Sequence, residues 1–367
     1  MQKKRFGGKV MLQKTLQSLG WNSFFHRQCL PSAHPGLIPA RVISQHNDRY
    51  HVMSEHGECN AKVTGKFRYT AHLLADYPVV GDFVWIEPNG DHARIHQVMS
   101  RKNSFSRKMP ISGGRKMKNG VIEGGVTEEQ VIASNLDTLF IMCGVDGNFN
   151  IPRIERYLTI ARHQKLEAVI LLNKIDLVQQ PDHYAAQVKE IAGGASILPI
   201  SAAHRTGLDP LAAYMLPGKT IVFIGSSGVG KSTLLNTLLE REVQTTRLTS
   251  HYSGKGKHTT THRQMFFHPS GCMIVDTPGM KELQLWADDT DLDSVFAEIA
   301  DIISQCRFSN CTHHSEPGCA LQAALKSGAL SRERYGRYTA QLKELQRLKD
   351  KKREYARRQG KKNKRES

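Results

Sequence analysis

No run of eighteen consecutive apolar residues occurs in the chain, so nothing in it reads as a membrane-spanning helix. The basic start, Met1-Gln2-Lys3-Lys4-Arg5, leads into no apolar stretch of the kind a signal peptide needs. A cytoplasmic protein is therefore expected. Cysteine pairing is missing as well: the seven cysteines are odd in number, and Cys29, Cys59, Cys143 and Cys272 stand alone, which excludes a disulfide scaffold. Acid is scarce. Thirty-four Asp and Glu face 51 Lys and Arg, leaving a formal charge of +17 that favours polyanionic partners, since each phosphate contact releases condensed counterions. Almost half of that excess lies between Gln341 and Ser367, as either a solvated tail or a nucleic-acid contact.

At 367 residues the chain is too long for one typical core, and two or three domains are expected. Residues 1–36 read as a poorly structured basic arm, punctuated at its end by Pro31, Pro35 and Gly36. Five short β-like segments follow within residues 37–103: Leu37 to Gln45, Tyr50 to Ser54, Asn60 to Val63, Asp82 to Glu87 and Ala93 to Val98. They suit a small barrel of the OB type, although an SH3-like barrel leaves much the same pattern. Residues 101–125 are rich in Arg, Lys, Gly and Ser and read as a mobile linker or a nucleic-acid-contacting loop. Within residues 104–288, runs such as Thr138 to Cys143, Ala168 to Leu172 and Thr220 to Ile224 are apolar on both faces and alternate with helical segments. That pattern predicts a parallel sheet covered on both sides. Residues 289–340 read as helical, and 341–367 as a basic tail.

The motifs name a ligand. Strand Ile221 to Ile224 runs into Gly225-Ser226-Ser227-Gly228-Val229-Gly230-Lys231-Ser232, and Thr233 continues into a helix, the context a phosphate-cradling P-loop requires. Glycines let backbone N–H groups turn inward, and the helix N-terminus adds partial positive charge. Lys231 is expected to reach the β- and γ-phosphates, and the Ser232 hydroxyl to ligate Mg²⁺. Asn173-Lys174-Ile175-Asp176 follows another buried strand, where Asp176 offers two acceptors that guanine can match and adenine cannot. Asn173 should hold neighbouring loops, the Lys174 stem should cover the ring, and Ser201-Ala202 should offer backbone N–H to the guanine O6. Asp276-Thr277-Pro278-Gly279 completes the phosphate side, with Asp276 holding Mg²⁺ through water and the Gly279 N–H on the γ-phosphate.

Glutamine is absent where many GTPases place one to orient water, the position after Gly279, which here is Met280. The Gly-bearing segment Gly254 to Thr261 is the expected substitute. Thr260, with Thr259 close behind, is the candidate to complete the Mg²⁺ shell, and His258 is a candidate to position water. The base reader precedes the P-loop, the reverse of the usual order, so the domain is circularly permuted and its phosphate-sensing segment leads directly into the C-terminal region. There, Cys306-x4-Cys311-x-His313-x5-Cys319 offers three thiolates and one imidazole, a closed tetrahedral set for one structural zinc, with His314 competing as the ligand.

A barrel, N-K-I-D ahead of G-S-S-G-V-G-K-S, and a C-x4-C-x-H-x5-C cluster together resemble the bacterial RsgA (YjeQ) GTPases over about residues 37 to 330. Lys257 to Thr261 also looks like that family's switch loop. The resemblance implies a multidomain protein: an OB-type barrel, a circularly permuted α/β P-loop GTPase domain and a helical zinc-binding domain. It further implies GTP hydrolysis to GDP and phosphate, stimulation by the small ribosomal subunit, a role in its late maturation with rRNA binding, and one zinc per chain. A monomer is expected. The competing readings are an RNA-binding module whose guanine pocket is passive, which needs neither Ser232 nor Asp276, and a GTP-dependent factor for the large subunit or tRNA.

Overall fold

A computed structural model of the chain describes residues 15–29, 36–108, 129–240, 263–276 and 289–363, with two short strand pairs, 5–6 with 9–10 and 116–118 with 121–123. The barrel strands are β1 (Ile38–His46), β2 (Arg49–Ser54), β3 (Gly57–Val63), β4 (Phe83–Asn89) and β5 (His92–Val98). Along β5, buried Ala93 and Ile95 alternate with exposed His92, Arg94 and His96, the period that puts one face inside. β1 pairs with β2, β2 with β3, β3 with β5 in parallel, β5 with β4, and β4 back to β1, so the barrel closes. This closed five-strand order is the OB arrangement, and it buries Val42, Val52, Val84, Ile86 and Ile95 together.

Residues 15–29, expected within a poorly structured arm, are folded. Asn22 caps a short helix, Ser23–His26, by accepting the Phe24 N–H at 2.9 Å. Leu19 and Phe25 are buried, the Phe25 ring lies 4.4 Å from Phe83, and Trp21 meets Phe83 edge-on at 5.0 Å. The start of the expected linker is likewise built in. Arg101 pairs with buried Asp82 at 2.8 Å and caps the carbonyls of Ala75 and Tyr77. After it, β6 (Ser104–Lys108) pairs antiparallel with β7 (Glu129–Ser134).

The central sheet comprises β8 (Thr138–Gly144), β9 (Glu167–Asn173), β10 (Ser196–Ile200), β11 (Thr220–Gly225), β12 (Arg263–Phe267) and β13 (Met273–Asp276). Helices α1 (Ile151–His163), α2 (Pro181–Lys189) and α3 (Lys231–Leu239) cross between strands. The order is β10-β9-β8-β11-β13-β12, parallel except for β12. Every residue of β8 and β11 is buried, which requires helices on both faces. β12 pairs with β13 on one side and with β1 of the barrel on the other, through Arg263 opposite Gln45 and Gln264 opposite Ser44. Barrel and nucleotide sheet thus share one hydrogen-bonded ladder.

The C-terminal helices are α4 (Asp289–Val295), α5 (Ala297–Ser304), α6 (Ala320–Ser327) and α7 (Arg332–Asn363). α7 runs unbroken through residue 341, where a separate tail was expected to start. Its first half is docked: Tyr338, Gln341 and Leu345 are buried, and Gln341 accepts from the Thr159 hydroxyl of α1 at 3.1 Å. Glu155 of α1, fully buried, binds both Arg334 and Arg337 of α7, while Arg334 also reaches Glu298 of α5 at 2.6 Å. Arg334 stacks on Phe296 at 4.1 Å, so one guanidinium ties three helices together.

Candidate functional site

The nucleotide motifs converge at the carboxyl ends of the parallel strands, the position at which open α/β sheets bind ligands. Between β11 and α3 the loop is shaped by glycine. Gly225 (φ +153°) lies so close to β8 that a Cβ would sit 2.5 Å from the Met142 carbonyl, and at Gly230 (φ +100°) one would meet the Asn173 amide at 2.3 Å. Ser226 and Val229 are buried, Ser227 and Gly228 are exposed, and Ser232 and Thr233 lie half-buried in the first turn of α3. Lys231 folds back over the loop, donating to the carbonyls of Gly225 at 2.6 Å and Ser226 at 2.8 Å. Burial pulls its ammonium down to about 8, with Asp276 at the end of β13 pulling the other way.

On the base side Asn173 is the stitch. Its amide donates to the Val229 carbonyl of the P-loop at 2.7 Å and accepts the Ala202 N–H at 2.9 Å, joining three loops from a nearly fully buried position. Lys174 adopts a left-handed φ of +70°, and its amine is held by Asp146 at 2.6 Å. Ile175 packs partly into the core, leaving Asp176 at the mouth. The Ser201 hydroxyl, foremost, and His204 at 3.5 Å hold the Asp176 carboxyl below its ordinary range.

The second cluster lies between α5 and α6. The donor atoms of Cys306, Cys311, His313 and Cys319 all fall within 4.8 Å of one another. His313 Nδ1 is 3.6 Å from the Cys306 sulfur and 3.7 Å from that of Cys319. Bonds of about 2.3 Å to sulfur and 2.0 Å to nitrogen around a tetrahedral zinc require edges close to these, so the donor set fits the ion. His314 is turned away, its Nδ1 against the Thr312 carbonyl at 2.7 Å. Glu316 frames the loop, accepting the backbone N–H of Thr312, His314 and Ser315, and hydrogen bonds led by the Thr312 hydroxyl bring its carboxyl down to about 2.

These two sites on one permuted chain have counterparts among known proteins. The RsgA GTPase family model matches residues 114–286. Beyond that span, the chain is 39% identical over 335 residues to the small ribosomal subunit biogenesis GTPase RsgA of Opitutus terrae, covering 88% of each. This chain belongs to the RsgA GTPase family. The crystal structure of YjeQ from Thermotoga maritima superposes with a TM-score of 0.58 at 28% identity, covering 84% of this chain and 98% of that one. YloQ, a circularly permuted GTPase, shares the fold, with a TM-score of 0.56 at 22% identity, covering 87% and 99%. As an RsgA GTPase, the chain is a GTP-hydrolysing enzyme on a circularly permuted P-loop fold.

In this RsgA GTPase the structure brings together Asn173 to Asp176, Ser201-Ala202, Gly225 to Thr233 and Asp276. Gly279, His258 and Thr260 lie outside the described residues. Three neighbours escaped the sequence reading. Asp146 steers Lys174, His204 braces Asp176, and the Asn148 amide nitrogen would lie 3.9 Å from a Cβ at Gly228. Asp146 and Asn148 follow directly on the carboxyl end of buried β8, a position that itself marks candidates in this architecture.

Proposed function

We propose that this chain hydrolyses GTP to GDP and phosphate in a cycle stimulated by the small ribosomal subunit, and that this cycle times its release during late maturation of that particle. The single observation that carries the nucleotide part is the Asn173 stitch, which couples the base reader to the P-loop through Val229. Backbone N–H groups from Gly225 to Thr233 cradle the phosphates, and Lys231 leaves its carbonyl caps to neutralise the β- and γ-phosphates. Asp176 accepts from the guanine N1–H and amino group, and the Lys174 stem covers the ring; the Ala202 and Ser201 N–H groups, which here donate to Asn173 and to the Thr206 carbonyl, reach O6 only by exchanging those bonds. Ser232, Thr260 and Asp276 would hold Mg²⁺, which when bound would neutralise phosphate charge. Water attacks the γ-phosphorus as the bond to the β–γ bridging oxygen breaks, leaving GDP; His258 orients the water and the Gly279 N–H holds a γ-oxygen. Cys306, Cys311, His313 and Cys319 hold one structural zinc.

The partner reading is supported by the names its relatives carry, by the OB-type barrel, whose fold commonly binds oligonucleotides, and by the +17 charge. GTP hydrolysis is measured with the protein alone, with small subunits and with large subunits. Acceleration by small subunits alone supports the reading. Equal acceleration by both, or by large subunits alone, reassigns the partner.

A further inference from the structure

The segment 15–29, the barrel and the amino ends of β8 and β11 line an open cavity of about 190 Å³. Thr220 opens β11 at this cavity, whereas the P-loop leaves the other end of the strand, so the two sites occupy opposite edges of the sheet. Arg41 in the cavity wall is almost fully buried. Its guanidinium donates to the carbonyls of Gly81 at 3.1 Å, Asn135 at 3.2 Å and Leu19, and touches the Met273 sulfur. Carbonyls orient a cation but do not neutralise it, and no described carboxylate lies within ion-pair distance of Arg41. Beside it, the buried Thr220 hydroxyl has no hydrogen-bond partner. Lys102 and Lys219 both lean on one oxygen of Asp137, at 3.4 and 3.3 Å. One carboxylate in the wall therefore serves two lysines, beside an arginine held by carbonyls alone, and Thr220 completes the lining.

A water molecule would satisfy Thr220 and leave the charge excess in place. A tetrahedral oxyanion answers both, because its several acceptor oxygens meet ammonium, guanidinium and hydroxyl donors at once. We propose that this cavity binds a phosphate group, either as the free anion or as a backbone phosphate of single-stranded RNA. Trp21 in the same wall gives the site a spectroscopic reporter and, for RNA, an aromatic edge beside the phosphate.

The test uses the full-length protein with saturating GDP and Mg²⁺, so that the P-loop does not take the added phosphate. Inorganic phosphate is titrated against chloride at constant ionic strength while tryptophan fluorescence is read, with Trp21→Phe assigning the signal. A saturable response is expected, and Thr220→Val and Lys219→Gln should each raise its midpoint by about tenfold, the scale of one charge-assisted hydrogen bond. Thr220→Val replaces an unpaired buried hydroxyl with a methyl group and should melt no lower than the parent. Lys219 is half exposed, so its variant keeps the test decisive if the threonine change disturbs folding. The dinucleotide UpU separates the sources: displacement of phosphate by UpU assigns RNA backbone, and failure to displace assigns the free anion. Absence of a saturable response, or a midpoint unchanged in both variants, overturns the proposal.

Discussion

Lys231 sits in the P-loop with its ammonium pulled down to about 8 by burial, against the opposing pull of Asp276. The unfolded chain keeps a lysine charged to about 10.4. Between those two values the unfolded state holds more protons, so this residue's contribution to stability rises with pH there rather than falling. Nucleotide binding runs the other way. A polyphosphate favours the charged amine, so affinity is fully present below pH 8 and is lost as pH rises through it. We expect the GDP dissociation constant to rise about tenfold between pH 7 and pH 9, since about a tenth of the amine remains charged one unit above its pKa. Titration with a fluorescent GDP analogue checks this, and a flat profile over that range would mean that Lys231 is charged throughout or does not contact the phosphates.

Elements are held together here by polar clusters as much as by apolar faces. Glu155 of α1 is buried between Arg334 and Arg337 of α7, and burial pushes its carboxyl up against the pull of both arginines. Glu155→Gln removes the buried anion between them and leaves Arg334 with Glu298 and Arg337 with Glu333, both more exposed carboxylates. It should cost about 3–5 kcal/mol in chemical denaturation, the scale for breaking a buried pair from one side. Cys311→Ser should drop zinc content from one per chain toward none and loosen the α5–α6 connection, while GDP binding survives, because the metal cluster and the P-loop lie on separate elements. Metal analysis with a parallel GDP titration checks both halves. The sequence makes these elements legible unequally, for a physical reason. The P-loop, N-K-I-D and the Cys/His set are local: backbone so close to a neighbouring strand that a Cβ at Gly225 would sit 2.5 Å from the Met142 carbonyl demands glycine wherever the fold places it. The five barrel strands and the buried runs of the parallel sheet announce themselves through period 2 and through two-sided burial. Residues 15–29 do not, because Leu19 and Phe25 are isolated apolar residues whose burial depends on Phe83 and has no periodicity of its own. β12 is invisible for the same reason, being defined by its pairing to β13 and β1, and Asp146 becomes a site residue only through its reach to Lys174 across the sheet.

For the molecule as a whole, charge and architecture meet at α7. The helix is docked as far as Leu345 by burial and by the Arg156–Glu344 pair at 2.9 Å, and then continues to Asn363. Beyond Leu345 the sequence carries eleven basic and three acidic residues, so removing 346–367 lowers the net charge from +17 to +9 while leaving the docked half in place. Such a truncation should keep the fold and the intrinsic GTPase rate, because it removes neither the Glu155 cluster nor any part of the P-loop. If the distal helix neutralises RNA phosphates, binding to small subunits should weaken, and the plot of log affinity against log salt should flatten by roughly one unit for each phosphate no longer neutralised. Sedimentation of the protein with small subunits across a salt series measures that slope directly. Lower affinity with an unchanged slope would assign the distal helix a non-ionic role in binding; unchanged affinity would return the RNA interaction to the barrel and the rest of the cationic surface.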